Sequence, residues 1–201
     1  MSRGNIERAL DQLRRGRPII LFDTFREWEG DLAFAAQYCT PETVNFALTV
    51  GRGILCVAMP PETAQAIGIK RLESNHLDPL RTPFGMPISL ANGSSGVSVK
   101  DRCETIRATC RADVKPNDFC MPGHVATLIA HAEGLSGRQG HTETVLASLS
   151  MAGIMGSGVL CEILDSDGSI ASQDALTTLS DRYELPMLDI GEVITAFGAG
   201  K

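Results

Sequence analysis

Four short apolar runs constrain the fold most: "RPIILFD" (17–23), "GILCVAM" (53–59), "VATLIA" (125–130) and "GVLCEILD" (158–165). Each is rich in Ile, Leu and Val, too short for a buried helix, and reads as a strand. Between them stand segments with helical spacing. "NIERALDQLRRG" puts Ile6, Ala9, Leu10 and Leu13 on one stripe, with Asn5 as cap and Gly16 as stop. "TPETVNFALTVG" has Thr40 as cap, Pro41 at the first helical position and Gly51 at its end. "SVKDRCETIRATC" opens with a Ser98–Asp101 pair resembling a capping box. "HTETVLASLSMAG", "SQDALTTLSDRYE" and "GEVITAF" complete the helices, while "ISLA" and "PMLDI" add short strands. Irregular alternation of this kind predicts α+β (or α/β) architecture, with mixed sheet layers covered by helices.

No repeat or composition break divides the 201 residues, so 1–201 reads as a single domain. A hydrophobic share of 43% predicts a packed core. The net charge of −6 and the lack of a basic run argue against nucleic acid or an anionic membrane as partner. No signal peptide or membrane-spanning run is visible, so a cytoplasmic protein is expected. The six cysteines form no CxxC pair and read as buried thiols rather than zinc ligands.

Three stretches suggest chemistry. "FREWEGD" (25–31) follows a strand end and holds three carboxylates, one guanidinium and the only tryptophan. On an extended chain Glu27, Glu29 and Asp31 would share one face, where Arg26 or a hard cation such as Mg²⁺ would offset their repulsion. A solvated acidic turn is the plainer alternative. "GRQGHTET" (137–144) brings Arg138 and a glycine-rich loop to a helix start, an arrangement suited to a phosphate. His141 sits at that junction, where it could bind a metal or move a proton. The alternative there is an ordinary loop-to-helix cap. In "GVLCEILD", Glu162 interrupts an apolar strand, as a functional acid or base with a raised pKa, as half of a structural ion pair, or as an edge residue. His124, ending "MPGH", reads by itself as a structural histidine.

Together these stretches resemble the 3,4-dihydroxy-2-butanone 4-phosphate synthase family, which makes the four-carbon precursor of riboflavin. "REWEGD", "RQGHTE", "PGH" and "CE" stand in the family's order at similar spacing, and "GVSVKDRCETIRA" resembles a fifth segment. The resemblance covers nearly the whole chain and includes no GTP cyclohydrolase II domain. It implies conversion of D-ribulose 5-phosphate to L-3,4-dihydroxybutan-2-one 4-phosphate and formate. It also implies Mg²⁺ (or Mn²⁺) and a homodimer with active sites at the interface. Carried over by position, Glu27 and His141 would hold the metal. Arg26, Glu27, Asp31, Arg138, Gln139, Gly140, His141, Thr142 and Glu162 would bind the sugar phosphate. His124 and Glu162 would be the essential catalytic groups.

The chain departs from the family's pattern at several places. Phe22 and Phe25 replace acidic residues, Trp28 replaces asparagine, Met121 replaces arginine, Arg52 replaces a small residue, and Pro87 enters a strand. These changes would make the pocket rim more apolar. They leave room for a paralogue that starts with the same metal-assisted enolisation on another substrate, or for a sugar-phosphate-binding protein without turnover.

Overall fold

A computed structural model describes residues 3–24, 28–73 and 81–199. Phe25, Arg26 and Glu27 lie outside the described residues, so the expectations for Arg26 and Glu27 concern positions beyond them. The chain runs α1 (Arg3–Arg14), β1 (Ile19–Phe22), β2 (Gly30–Ala35), α2 (Pro41–Phe46), β3 (Arg52–Met59) and α3 (Pro61–Ala66). It continues through β4 (Phe84–Leu90), α4 (Val99–Ala108), β5 (Phe119–Ile129), α5 (His141–Met151) and β6 (Gly158–Ile163). α6 (Gln173–Tyr183), β7 (Met187–Asp189) and α7 (Ile190–Ala199) complete it.

All seven strands join one mixed sheet in the order β4-β5-β3-β6-β2-β1-β7. The β1–β7 and β3–β5 pairs are parallel, the other four antiparallel. Two apolar clusters lie on its two faces. One joins Leu13 of α1, Val145 and Leu149 of α5 and Val193 of α7 to alternate strand residues such as Leu21, Ala33 and Leu160. The other joins Val44 of α2, Ile106 of α4 and Leu176 of α6 to Ile20, Leu32 and Val57. The central strands are therefore apolar on both sides, which is why they read as continuous runs. Full burial of a Leu or Ile side chain stabilises by about 1.5–3 kcal/mol.

Local expectations fare unevenly. Ser98 caps α4, its Oγ accepting the Asp101 N–H at 3.1 Å. Thr40 and Thr43 form a reciprocal capping box at α2. Asn5 is not a cap: α1 starts earlier, and the Asn5 amide donates to the Met187 carbonyl at 2.7 Å, tying α1 to β7. The helix expected to run to Gly51 changes after Phe46 into a π-helical turn, Ala47–Gly51. The strand expected at 125–130 starts earlier, at Phe119, and its added first half pairs with β4 through Phe119 and Cys120. Pro87 sits where proline is tolerated, on edge strand β4 at a register shift between Gly85 and Ile88. Among the described residues, no helix is long and apolar enough to cross a membrane.

Candidate active site

β2 and β6 bring the first two carboxylates together. Their antiparallel register sets Asp31 directly opposite Glu162, which places the two Cβ atoms about 4.5–5.5 Å apart. Like charges so placed repel unless a cation or a shared proton intervenes. Both residues line a cavity of about 210 Å³, with Glu29, Ile54, Cys56, Thr82, Phe84, Leu128, Arg138, His141, Thr142 and Leu160. Glu29 reaches it from the segment leading into β2. The extended run imagined for residues 27–31 is broken, since Trp28 has φ +50° and only Gly30 onward is strand.

The opposite wall is the start of α5. Gly140 is the N-cap and brings no side-chain capping bond to the first-turn N–H groups. Its missing Cβ leaves space for the Arg138 guanidinium, which lies against it. Arg138 donates from Nη1 to Glu143 Oε2 at 2.8 Å, and Glu143 Oε1 accepts the His131 N–H at 3.0 Å. The Glu143 side chain is fully buried. A buried carboxylate thus fixes the arginine that faces the cavity. His141 is 6% exposed and Thr142 is buried, both within the first turn of α5.

Cys56 shows what surrounds these groups. Burial pushes its thiol well above the usual range, and the Glu162 and Asp31 carboxylates push it further. Cys161, behind Glu162, is pushed up to about 12 by the same causes in the same order. Both thiols are therefore neutral packing groups rather than nucleophiles.

Of the residues expected at the site, Asp31, Arg138, His141, Thr142 and Glu162 meet at this cavity. Gln139 is exposed on the preceding loop, and Gly140 is buried as the N-cap of α5; neither is in the cavity lining. His124 is not in that lining; it is exposed on β5, with its backbone N–H donating to Ser89 Oγ at 2.9 Å and its Nδ1 3.4 Å from the same oxygen. It lies two residues before Ala126, whose partner on β3 is the cavity residue Cys56, and four before Leu128. Sequence reasoning missed Cys56, Phe84, Leu128 and Glu143. Glu143 carried a signal, as the acidic residue next to Thr142 in the helix start, but its partner Arg138 is set by the loop's path.

Most substituted positions do not shape this cavity. Phe22 is buried in the core, Met121 packs partly against the same cluster, and Arg52 bonds the Asp165 carbonyl at 2.6 Å. Trp28 is 68% exposed. Among the described residues, none of these four lines the cavity.

A sequence profile for 3,4-dihydroxy-2-butanone 4-phosphate synthase matches residues 7–196. The chain belongs to the 3,4-dihydroxy-2-butanone 4-phosphate synthase family. It is 36% identical over 190 residues to that synthase from Oceanobacillus iheyensis, covering 94% of this chain and 92% of the relative. It is 36% identical to the riboflavin biosynthesis protein RibBA of Bacillus cytotoxicus, of which it spans 48%. A crystal structure of 3,4-dihydroxy-2-butanone 4-phosphate synthase with two magnesium ions superposes with a TM-score of 0.89, at 26% identity and 95% coverage of both chains. The chain is thus an enzyme of the synthase type, from a family serving riboflavin biosynthesis. The mixed sheet and its helical layers are the family's fold.

Proposed function

We propose that this synthase-family protein works as a single-domain, cytoplasmic homodimer. It converts D-ribulose 5-phosphate into L-3,4-dihydroxybutan-2-one 4-phosphate and formate, with Mg²⁺ or Mn²⁺. The observation that carries this reading is the cavity itself. It gathers Glu29, Asp31 and Glu162 opposite Arg138 and His141 at a helix N-terminus.

The donor set fits a hard divalent cation: several carboxylates and one imidazole around a small space. Among the described residues no three such groups come close enough to hold an ion by themselves, and Glu27, outside them, and His141 are the two ligands assigned to the metal in this reading. A bound cation there would supply positive charge for the oxyanion that develops when the ketose enolises. Arg138, with the N-terminal turn of α5, holds the phosphate and so fixes which carbon meets Glu162. Arg26, Gln139, Gly140 and Thr142 complete the phosphate and sugar contacts. Glu162 takes the proton next to the carbonyl and returns it in the later dehydration and rearrangement steps. Leu128, Leu160 and Phe84 keep bulk water from the reacting carbons.

His124 enters from the partner. It is exposed and, among the described residues, is not part of the cavity lining of its own protomer, which leaves it free to complete a site across a two-fold interface. Mixing tests this. His124→Ala and Glu162→Gln proteins should each be inactive in formate release. Their reassorted mixture should recover about a quarter of wild-type activity, because half the dimers are mixed and each has one complete site. No recovery after confirmed subunit exchange would place His124 and Glu162 in the same protomer's site. A paralogue acting on another sugar phosphate is favoured less, because none of the described substituted positions lines the cavity.

A further inference from the structure

β3 contains an irregularity that ends on Glu162. The strand leaves the π-helical turn through Arg52, whose φ of +74° is left-handed. Its ladder with β6 pairs Arg52 with Ile163, and then Leu55 with Cys161. Three steps on β3 thus span two on β6, the signature of a bulge. The extra residue releases the Ile54 N–H from the ladder, and it donates to Glu162 Oε2 at 2.6 Å. A Cβ at Gly53 would lie 2.5 Å from that same oxygen and 2.6 Å from the Glu162 carbonyl. The bulge is pinned on both sides. The Leu164 N–H donates to the Gly51 carbonyl at 2.9 Å, and Arg52 Nη1 donates to the Asp165 carbonyl at 2.6 Å.

On its other edge Glu162 faces Asp31. That neighbour alone would repel the carboxylate, and a donor on the β3 side counters the push. Bulges beside active sites commonly re-aim a group in this manner.

We propose that the Gly53–Ile54 bulge is the positioning device for Glu162. The Ile54 N–H holds one carboxylate oxygen at the cavity wall, and Gly53 is required because any side chain would occupy that oxygen's place. This rests on the reading of Glu162 as the proton-transferring group. Ile54 and Gly53 are positioning residues: their side chains need make no contact with reacting atoms.

Two measurements test it. In ¹H–¹⁵N spectra of the full chain labelled at isoleucine, the Ile54 amide proton should be shifted strongly downfield and should move upfield in Glu162→Gln. In formate-release kinetics, Gly53→Ala and Ile54→Pro should lower kcat by about ten- to a hundredfold, the worth of a charge-assisted hydrogen bond. Their KM should stay within about twofold of wild type, since Arg138 and α5 are untouched. Circular dichroism confirms that the variants are folded, and where one is not, the amide shift decides. An Ile54 amide unmoved by Glu162→Gln, or a folded variant with wild-type kcat, overturns the proposal. So does a parallel rise of KM with the loss of kcat. If wild-type protein releases no formate, the reading of the site fails instead, and the amide shift still decides whether the bulge holds the carboxylate.

Discussion

Glu143→Gln probes how the phosphate-facing arginine is held. Glu143 is fully buried and serves two donors, Arg138 Nη1 at 2.8 Å and the His131 N–H at 3.0 Å. Glutamine keeps the shape but offers one oxygen and one NH₂ group. Whichever way it turns, one of the two donors faces another donor. If His131 loses, a partly buried backbone N–H goes unsatisfied, costing about 1–3 kcal/mol. If Arg138 loses, a charge-assisted bond worth about 1.5–3 kcal/mol disappears, reduced because that side chain is 18% exposed and water can reach it. A net loss of about 2 kcal/mol is expected. With a urea slope near 2 kcal/mol/M, the unfolding midpoint should fall by about 1 M at unchanged slope. Arg138 would also lose its orientation, and KM for the sugar phosphate should rise by roughly tenfold, the equivalent of one such contact. A midpoint within about 0.2 M of wild type, together with an unchanged KM, would refute the view that Glu143 fixes Arg138.

Three further outcomes follow from particular residues. Because the Cys161 thiol is raised to about 12 when folded, against 9.0 as its reference, its contribution to stability is complete below pH 9 and is lost as pH rises toward 12. Cys161→Ala should therefore flatten the fall in stability between those limits by about 1.4 kcal/mol per pH unit, and equal slopes in urea titrations at several pH values would contradict this. Glu184 ends α6 in the left-handed region, with φ +55° and its N–H bonded to the Ser180 carbonyl. Glu184→Gly should stabilise by about 0.5–1 kcal/mol and raise Tm by a few degrees, and a lower Tm would refute that view of the cap. Ser98→Ala removes the α4 cap and should cost about 1 kcal/mol by chemical denaturation, and no loss would mean the cap contributes nothing.

Much of the architecture was legible because the central strands are apolar on both faces and the helices carry ordinary caps. β2 was not, since "DLAFAA" follows a charged cluster and shows no alternation of apolar and polar residues. Nor was the π-helical turn, because "ALTVG" continues the helical pattern of the residues before it. Pro122 and Gly123 hid the first half of β5, so only its part from Val125 onward was readable. At the site, motif residues near one another in sequence were recognisable, as at Arg138 to Thr142. The Asp31–Glu162 pairing depends on the register of strands more than 120 residues apart, which no local pattern encodes. The Ile54 N–H was equally hidden, because its partner is chosen by a bulge.

The most direct test of the whole account is formate release by the purified protein from D-ribulose 5-phosphate, with Mg²⁺ present and after its removal by chelation. The account predicts stoichiometric formate and dihydroxybutanone phosphate, lost on chelation, restored by Mg²⁺ or Mn²⁺, and absent in Glu162→Gln. Binding of the sugar phosphate without formate under any of these conditions would contradict it.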